Sequence, residues 1–437
     1  MTSNNLYTVK LIYWDQAEKG EKRKIMERSQ ADMEAIKADV DAWIDKFRQR
    51  GDEALVEYAR KFDKPDFTAK ELRVTKRDIE EAYANVDSET LAQMREQIRI
   101  SRAFHEEQAK RIEKTWQIET VPGVITGVKK APIESVGLYV PAGKSPLPTV
   151  AQILTVAAKT AGVPRIAVCF PPTAKNYEII VAAVESGADE IYRVGGIAAI
   201  AALAYGTETI KPVCKIVGPG SRYVQAAKLQ VVGRVGIDML SGPSEALIMA
   251  DETSNPAYLA ADILARAEHG SDSAGIVITT SKRIAEETVG EVRLQARTLA
   301  RQEYIKRALQ RYSAVIILKD EDAMIDFANE YSAEHLEVQT KDPEAVFSRI
   351  RNAGSVFLGS YAPVAVGDYA SGTNHCLPTG RAVKYSSPIG VETFMKTIQF
   401  QRLSRDGLKT LQPIVRAISR VEGLDAHERS VAIRLQK

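Results

Sequence analysis

Histidine is scarce in this chain, and four of its five histidines lie in the second half beside acidic, amide or glycine residues. Imidazole titrates near neutral pH and ligates metal ions, so these positions are candidates for proton transfer or metal binding. The four contexts are Ala-Glu-His-Gly (His269), Ala-Glu-His-Leu (His335), Gly-Thr-Asn-His (His375) and Asp-Ala-His-Glu (His427).

Two of these histidines have chemically useful neighbours. Glu334 and His335 are adjacent, just before a predicted strand, and they could supply a carboxylate and an imidazole for general acid–base catalysis. Arg266 lies one helical turn before His269 at the end of a predicted helix, so both side chains should face the same space. A histidine at a helix end and a single Glu-His pair also occur in purely structural roles. A structural and a catalytic role therefore both remain open for these residues.

The charge balance and the cysteine content limit the partners and the cellular compartment that can be expected for this protein. The 437 residues include 59 basic and 57 acidic side chains, for a net charge of +2. This balance predicts neither nucleic acid nor a membrane as partner. The three cysteines, Cys169, Cys214 and Cys376, are far apart in sequence, which favours a reducing compartment. The N-terminus lacks a secretory signal pattern, and no segment has the roughly 20 apolar residues of a membrane span, so a cytoplasmic location is expected.

The order of predicted elements indicates an α/β fold. Residues up to about 115 are polar and predicted to be helical, and residues after Pro388 are again predicted to be helical. Between them, two series of short β-rich runs alternate with helices, which predicts parallel sheets covered by helices. The first series comprises strands 136–140, 165–170, 190–194 and 215–217 with helices 150–161, 177–186, 197–205 and 222–232. The second series contains strands 246–250, 275–279, 314–318 and 355–358.

Glycine-containing turns follow three strands of the first series, at 141–144, 195–196 and 218–220. In an open α/β sheet, ligands bind at the carboxyl ends of the strands, where glycine allows close approach of the backbone. Gly218 and Gly220 begin a G-x-G-x-x-G pattern, but Tyr223 occupies its third position. The spacing therefore fits a nucleotide site and fits tight turns without a ligand equally well.

Taken together, these segments resemble the histidinol dehydrogenase family, in the right order from about residue 30 to the end. The segments that carry the resemblance are 137–141, 201–209, 215–220, 236–239, 242–245, 267–269, 334–337, 367–370, 374–375, 377–379 and 425–427.

The resemblance implies a homodimer of intertwined subunits with two incomplete Rossmann-like parallel-sheet domains and helical N- and C-terminal tails. The implied division is an N-terminal tail (1–29), a first α/β domain (30–115 with 245–388), a second, NAD-side α/β domain (116–244) and a C-terminal helical tail (389–437).

The resemblance also implies an NAD-dependent oxidation of a primary alcohol through an aldehyde to a carboxylate, as in the conversion of L-histidinol to L-histidine in histidine biosynthesis. His335 matches the base that takes the alcohol proton, and Glu334 matches the acid that activates water. Other matches are Tyr139 for NAD contact; Ser244, His375 and Glu422 for substrate contact; and His269, Asp368 and His427 for zinc. Glu422 and His427 are expected to reach the partner subunit's site.

Three positions depart from the family's pattern, and all three fall in the implied site. Arg266 stands where the family has a zinc-ligating glutamine, and a guanidinium cannot ligate a cation. Ala198 and Ser221 stand where the family has a glutamine and an asparagine that contact NAD. Ser221 can still donate a hydrogen bond, whereas the side chain of Ala198 cannot.

The matches to the family and the three departures from it lead to three hypotheses about function. The first is histidinol oxidation. The second is a paralogue that oxidises an anionic alcohol such as sulfopropanediol, in which Arg266 replaces zinc, pairs with Asp368 or clamps the anionic group of the substrate. The third is a catalytically silent NAD-binding or assembly protein, against which the retained Glu334 and His335 argue.

Overall fold

The computed structural model describes residues 7–28, 34–142, 145–240 and 242–436. The strands are β1 (Lys10–Tyr13), β2 (Thr115–Val121), β3 (Val124–Pro132), β4 (Ser135–Tyr139), β5 (Arg165–Phe170), β6 (Glu190–Arg193), β7 (Lys215–Val217), β8 (Gly236–Ile237), β9 (Glu245–Ala250), β10 (Ala274–Thr279), β11 (Ala314–Ile317), β12 (His335–Gln339), β13 (Ser355–Leu358) and β14 (Met395–Leu403).

Sixteen helices in the described ranges cover these strands. They are α1 (Lys19–Glu27), α2 (Lys37–Phe62), α3 (Lys76–Asn85), α4 (Ser88–Arg111), α5 (Pro148–Thr160), α6 (Tyr177–Ser186), α7 (Gly196–Tyr205), α8 (Arg222–Gln230), α9 (Pro256–Ala267), α10 (Lys282–Gln295), α11 (Gln302–Arg311), α12 (Glu321–Tyr331), α13 (Pro343–Phe347), α14 (Val364–Tyr369), α15 (Arg405–Val421) and α16 (Asp425–Leu435).

Two sheets are parallel throughout and one is antiparallel. The larger parallel sheet has the order β1-β11-β10-β9-β12-β13, and the smaller has the order β6-β5-β4-β7-β8. The antiparallel sheet has the order β14-β3-β2. The predicted α/β class, with two incomplete Rossmann-like sheets and helical termini, is confirmed, and the predicted strands match the observed ones to within one residue at each end.

The helices near the N-terminus pack differently from the predicted division. Residues 36–67, which include α2, share a hydrophobic core with α7 and α8, and buried residues of α3 and α4 share a core with α5 and α6. Residues 36–111 therefore pack mainly on the smaller parallel sheet, although α4 also contacts residues 369–372 through Gln97 and Ile100. The apolar stripe of a helix shows that it packs, but does not show against which sheet.

Both predicted tails contain a strand that the sequence did not indicate. β1, from the predicted N-terminal tail, pairs with β11, and β14, from the predicted helical C-terminal tail, pairs with β3. Most of β14 is exposed, so it lacks the buried face that makes a strand recognisable. Within the described ranges, no helix is long and apolar enough to cross a lipid bilayer.

Local sequence signals fix the helix that positions Arg266. The Asn255 side chain accepts a hydrogen bond from the amide of Ala257 at 2.9 Å, and Pro256 occupies the first turn of α9. This is a favourable N-terminal cap. The buried face of α9, which includes Leu259 and Ile263, packs in the core of the larger sheet, and the helix delivers Arg266 in its last turn.

Candidate active site

The predicted catalytic pair lies at the amino ends of two neighbouring strands of the larger sheet, β9 and β12. His335 is the first residue of β12 and stands opposite Ala246 in the parallel register with β9. Glu334 immediately precedes β12, and Ser244 immediately precedes β9. Parallel pairing of the two strands therefore brings the four residues to one edge of the sheet.

Glu334 accepts two hydrogen bonds and has an ion contact with His335. Its Oε2 accepts hydrogen bonds from the Ser244 hydroxyl at 2.8 Å and from the Glu245 amide at 2.9 Å. His335 Nδ1 lies 3.3 Å from the same oxygen. Burial by itself raises the pKa of Glu334, but the charges of His335 and Arg266 and the hydrogen bonds outweigh burial, and the pKa is lowered. Glu334 is therefore an oriented carboxylate at neutral pH.

The His335 imidazole is buried, and its two nitrogens have different surroundings. Nδ1 lies 3.1 Å from the Glu245 carbonyl oxygen, which acts as its acceptor. Nε2 lies 3.6 Å from Asp368 Oδ1 and has no hydrogen-bond partner among the described residues. Burial opposes protonation, but Glu334 and Asp368 overcome it and raise the pKa of His335 to about 9. One face of the site therefore presents a nitrogen that can exchange a proton.

Arg266 completes a chain of polar contacts across the site. Its side chain is buried, and Nη1 donates to the Ser244 hydroxyl at 2.6 Å. Nη2 lies 3.6 Å from Asp368 Oδ2, and Nε is buried without a hydrogen-bond partner in the described part of the chain. Burial opposes ionisation of Asp368, yet His335 and Arg266 hold its pKa well below the usual range. The carboxylate of Asp368 thus faces two cationic groups.

The other two predicted histidines of this region flank the same carboxylate. Burial lowers the pKa of His375, while Asp368 opposes that change. His269 is an exposed residue, but partial desolvation of its imidazole, followed by the Arg266 charge, lowers its pKa. Both imidazoles are therefore neutral at pH 7. The structure brings six predicted residues together here: Ser244, Arg266, Glu334, His335, Asp368 and His375, with His269 at the rim.

Glu422 and His427 do not join this cluster within the chain. Glu422 follows α15, His427 lies in α16, and both are exposed. Their expected contribution to a partner subunit's site stays a prediction.

The smaller sheet contains the predicted cofactor residues at its opposite edge, the carboxyl ends of the strands. The strand order reverses beside β4, which has β5 on one side and β7 on the other, and such a switch point forms a crevice. Gly218, directly after β7, has φ of +134°, and a Cβ there would lie 2.2 Å from the Tyr139 carbonyl oxygen. Ser221 caps α8 beside it, is exposed, and makes no side-chain cap hydrogen bond.

Two of the predicted cofactor contacts, Tyr139 and Ala198, are buried residues. The Tyr139 ring is buried and its hydroxyl accepts a hydrogen bond from the Gly196 amide at 3.2 Å, which places the tyrosine in the wall of the crevice. Ala198 is 1% exposed inside the core between α2 and α7, so its side chain offers no contact surface to a cofactor. Turn residues 143–144, which were predicted to approach a ligand, lie outside the described residues.

Comparison with known proteins shows the family of this chain. The histidinol dehydrogenase family model matches residues 26–435. The chain belongs to the histidinol dehydrogenase family. It is 43% identical over 398 residues to the histidinol dehydrogenase of Methanosarcina mazei, covering 90% of this chain and 91% of that one. It is 44% identical over 404 residues to that of Rhizobium meliloti, covering 92% of each.

A solved structure shares the whole fold. The crystal structure of histidinol dehydrogenase from Elizabethkingia anophelis superposes with a TM-score of 0.91 at 36% identity, covering 98% of each chain. The family membership and the arrangement of elements expected from the sequence are therefore confirmed.

The donors that a single chain of this histidinol dehydrogenase family member brings together do not form a zinc site by themselves. Of the predicted ligands, His269 and Asp368 lie at the site, but the Arg266 cation is 3.6 Å from Asp368. The described residues contain no group of three or more His, Cys, Asp or Glu side chains arranged to hold a metal ion. Two like charges about 4 Å apart repel by about 4 kcal/mol at an effective dielectric of about 20. In this arrangement, the positive charge that faces Asp368 from α9 is that of Arg266.

Two residues of the site carried no assigned role in the sequence analysis. Glu245 contacts both members of the catalytic pair, although it entered as part of the segment 242–245 without a function of its own. Arg28 pairs with Glu245 from more than 200 positions away in the chain. Sequence spacing gives no signal for such a contact, because it depends on how α1 packs against β9.

Proposed function

We propose that this member of the histidinol dehydrogenase family is an NAD-dependent dehydrogenase that oxidises a primary alcohol through an aldehyde to a carboxylate. The observation that carries the proposal is the buried Glu334–His335 pair, in which a neighbouring carboxylate and imidazole are both held by hydrogen bonds. A purely structural pair has no need of a buried imidazole nitrogen without a partner.

His335 is the base for the alcohol proton. Its Nδ1 is engaged by the Glu245 carbonyl, so Nε2 is the nitrogen available to a substrate hydroxyl. The raised pKa of His335 makes it a strong base once it is deprotonated, and Asp368 stabilises the imidazolium that forms.

Glu334 serves the second oxidation. Its Oε2 accepts the hydrogen bonds of Ser244 and Glu245, so we assign Oε1 to the water that adds to the aldehyde. The lowered pKa keeps Glu334 ionised, which lets it accept a proton from that water.

The hydride acceptor is NAD, bound in the crevice between the ends of β4 and β7. NAD supplies the two-electron chemistry that side chains lack. The turn at Gly218 packs against the Tyr139 backbone more closely than a Cβ would allow, which brings the start of α8 to the end of β4. This turn and the exposed Ser221 support the placement, because the start of a helix favours the phosphates of a dinucleotide.

Two substrate classes are candidates. L-histidinol is the first, because the curated relatives are histidinol dehydrogenases. An anionic alcohol, such as a sulfonate or carboxylate diol, is the second, and buried Arg266 favours it. A guanidinium can hold such an anion by paired hydrogen bonds, but it repels the zinc that a histidinol site of the family would use.

A homodimer is the proposed assembly, with Glu422 and His427 of each chain entering the other chain's site. The helix α15 that precedes them exposes Ile414, Ile418 and Val421, and this apolar face supports a protein partner.

The deciding experiment measures NAD reduction by purified protein with L-histidinol and with a panel of sulfonate- and carboxylate-bearing primary alcohols, alongside metal content. Turnover of histidinol with one zinc per chain selects the first class. Turnover of an anionic alcohol without zinc selects the second. If no primary alcohol reduces NAD while NAD still binds, the protein is a silent binding protein and the proposed reaction is wrong.

A further inference from the structure

Glu245 is the residue through which the catalytic pair is attached to β9. Its amide donates to Glu334 Oε2 at 2.9 Å, and its own Oε1 accepts from the Glu334 amide at 3.2 Å. Its carbonyl oxygen lies 3.1 Å from His335 Nδ1. One residue thus orients both the carboxylate and the imidazole, and it uses its side chain as well as its backbone.

The Glu245 side chain carries an electrostatic penalty in this position. It is 2% exposed, and a second carboxylate, Glu334, lies beside it. Burial, followed by the nearby Glu334 charge, raises the pKa of Glu245 to about 7, while Arg28 acts in the opposite direction. A buried carboxylate without a counter-charge is strongly destabilised, so its orientation depends on the cation that faces it.

Arg28 is that cation. Its side chain is 4% exposed, and Nε lies 2.9 Å from Glu245 Oε2. The guanidinium stacks 3.6 Å from the ring centroid of Tyr331, and Nη2 donates to the Tyr331 carbonyl oxygen. Two contacts to α12 therefore fix the guanidinium in place behind Glu245.

We propose that Arg28 is a positioning residue for the reaction, which acts through Glu245 to hold Glu334 and His335 in their reactive arrangement. This inference rests on the proposed function of that pair. Among the described contacts, Arg28 touches Glu245 and Tyr331 and neither Glu334 nor His335, so its effect on the chemistry is indirect.

Loss of the Arg28 charge leaves the Glu245 carboxylate without its counter-charge. The Glu245 carboxylate then has Glu334 as its nearest charged neighbour, and it either takes up a proton or turns away. Both outcomes alter the acceptor that holds the Glu334 amide. The catalytic groups move relative to the reacting atoms, while Ser244, Arg266 and His375 stay available to bind substrate.

The kinetic test compares Arg28→Met with Arg23→Met in the full-length enzyme. Arg23 is on the same helix, α1, and forms an exposed i,i+4 pair with Glu27, so it is a matched control. We expect Arg28→Met to lower kcat about 10- to 100-fold, with KM within about twofold, as for other groups that orient reacting residues. Arg23→Met should leave both unchanged. An equal kcat for the two variants overturns the proposal.

Two further variants separate charge from packing. Arg28→Lys keeps the cation and should recover part of the lost kcat. Glu245→Gln introduced into Arg28→Met removes the unpaired charge and keeps an oxygen for the Glu334 amide, so kcat should rise above that of Arg28→Met alone. If neither change restores any activity while the protein stays folded, Arg28 acts by packing and the proposal is wrong.

A spectroscopic readout does not depend on turnover. In protein labelled with ¹⁵N-histidine, the Nδ1–H resonance of His335 is assigned by its loss in His335→Gln. Arg28→Met should move or broaden this resonance, and Arg23→Met should not. An unmoved resonance in Arg28→Met overturns the positioning role even if no substrate is found, whereas an inactive wild-type enzyme with a shifted resonance contradicts the proposed function alone.

Discussion

The two parallel sheets of this protein reverse their strand order in the same manner but use opposite edges. In the smaller sheet β4 lies between β5 and β7, and in the larger sheet β9 lies between β10 and β12. The smaller sheet offers its crevice at the carboxyl ends, at Gly218 and Ser221. The larger sheet places Glu334 and His335 at the amino ends of its strands.

The difference follows from helix polarity. In a βα unit the helix begins near the carboxyl end of its strand and ends near the amino end of that strand, and helix N-termini carry partial positive charge. The start of α8 therefore suits the phosphates of a dinucleotide. The amino edge of the larger sheet receives helix C-termini, which favour cations, and α1 and α9 end there with Arg28 and Arg266. One edge is thus suited to hold a cofactor, and the other to hold charged catalytic groups.

Replacing His335 with Asn should give the largest effect. The imidazole that takes the proton is lost, so kcat should fall by about 100- to 10,000-fold. NAD affinity, measured by calorimetry, should remain as in the wild type, because the crevice belongs to the other sheet. A matching loss of NAD affinity would show that the two edges are not independent.

Glu334→Gln should affect the two oxidation steps unequally. With the carboxylate removed, oxidation of the aldehyde should slow by about 100-fold or more, and oxidation of the alcohol by less. Single-turnover rates with the alcohol and with the aldehyde measure the two steps separately. Equal losses in both would contradict the assignment of water activation to Glu334.

Arg266→Gln should strengthen zinc binding. The substitution removes a repulsion of about 4 kcal/mol and supplies a ligand oxygen, so the dissociation constant should fall by up to about 1,000-fold. Arg283→Gln, which alters an exposed pair on α10, is the control. Unchanged zinc affinity in Arg266→Gln would mean that Arg266 does not face the metal position.

Gly218→Ala tests the carboxyl edge of the smaller sheet, where NAD is proposed to bind. Its methyl group would meet the Tyr139 carbonyl at 2.2 Å, so NAD affinity should fall by about tenfold while the environment of Glu334 and His335 is unchanged. Gly233→Ala is the control, since Gly233 also has positive φ, +89°, but no atom of the described residues lies within 4 Å of the added Cβ. Comparable losses in both variants would indicate general backbone strain.

The reaction rate should also depend on pH. His335 accepts a proton only when neutral, and its pKa of about 9 leaves about one molecule in a hundred neutral at pH 7. The rate should therefore rise by up to tenfold per unit between pH 7 and 9 and then level. The protonated ring contributes stability that is fully present below pH 6.5 and is lost as pH rises through about 9. A flat pH profile would indicate that substrate lowers this pKa.

The order of elements and most of the catalytic residues could be predicted from the sequence. Apolar runs such as 165–170 and 314–318 marked strands, because parallel strands are buried on both faces and need continuous apolar residues. The Glu334–His335 pair could be identified from the residue types alone. The departure at Arg266 could be identified as well, because an arginine side chain cannot ligate a cation in any fold.

The partners of these residues were decided by tertiary structure. The helices at 37–111 were predicted as helices and grouped with 245–388, whereas their buried residues share cores with helices of the smaller sheet. An apolar stripe specifies that a helix is buried, but it does not specify against which element. The contact of Arg28 with Glu245 joins residues distant in sequence, and the burial of Ala198 depends on α2 covering α7. Residue identity set which chemistry was possible, whereas packing between distant segments set which groups meet, which charges are paired, and how readily each gives up its proton.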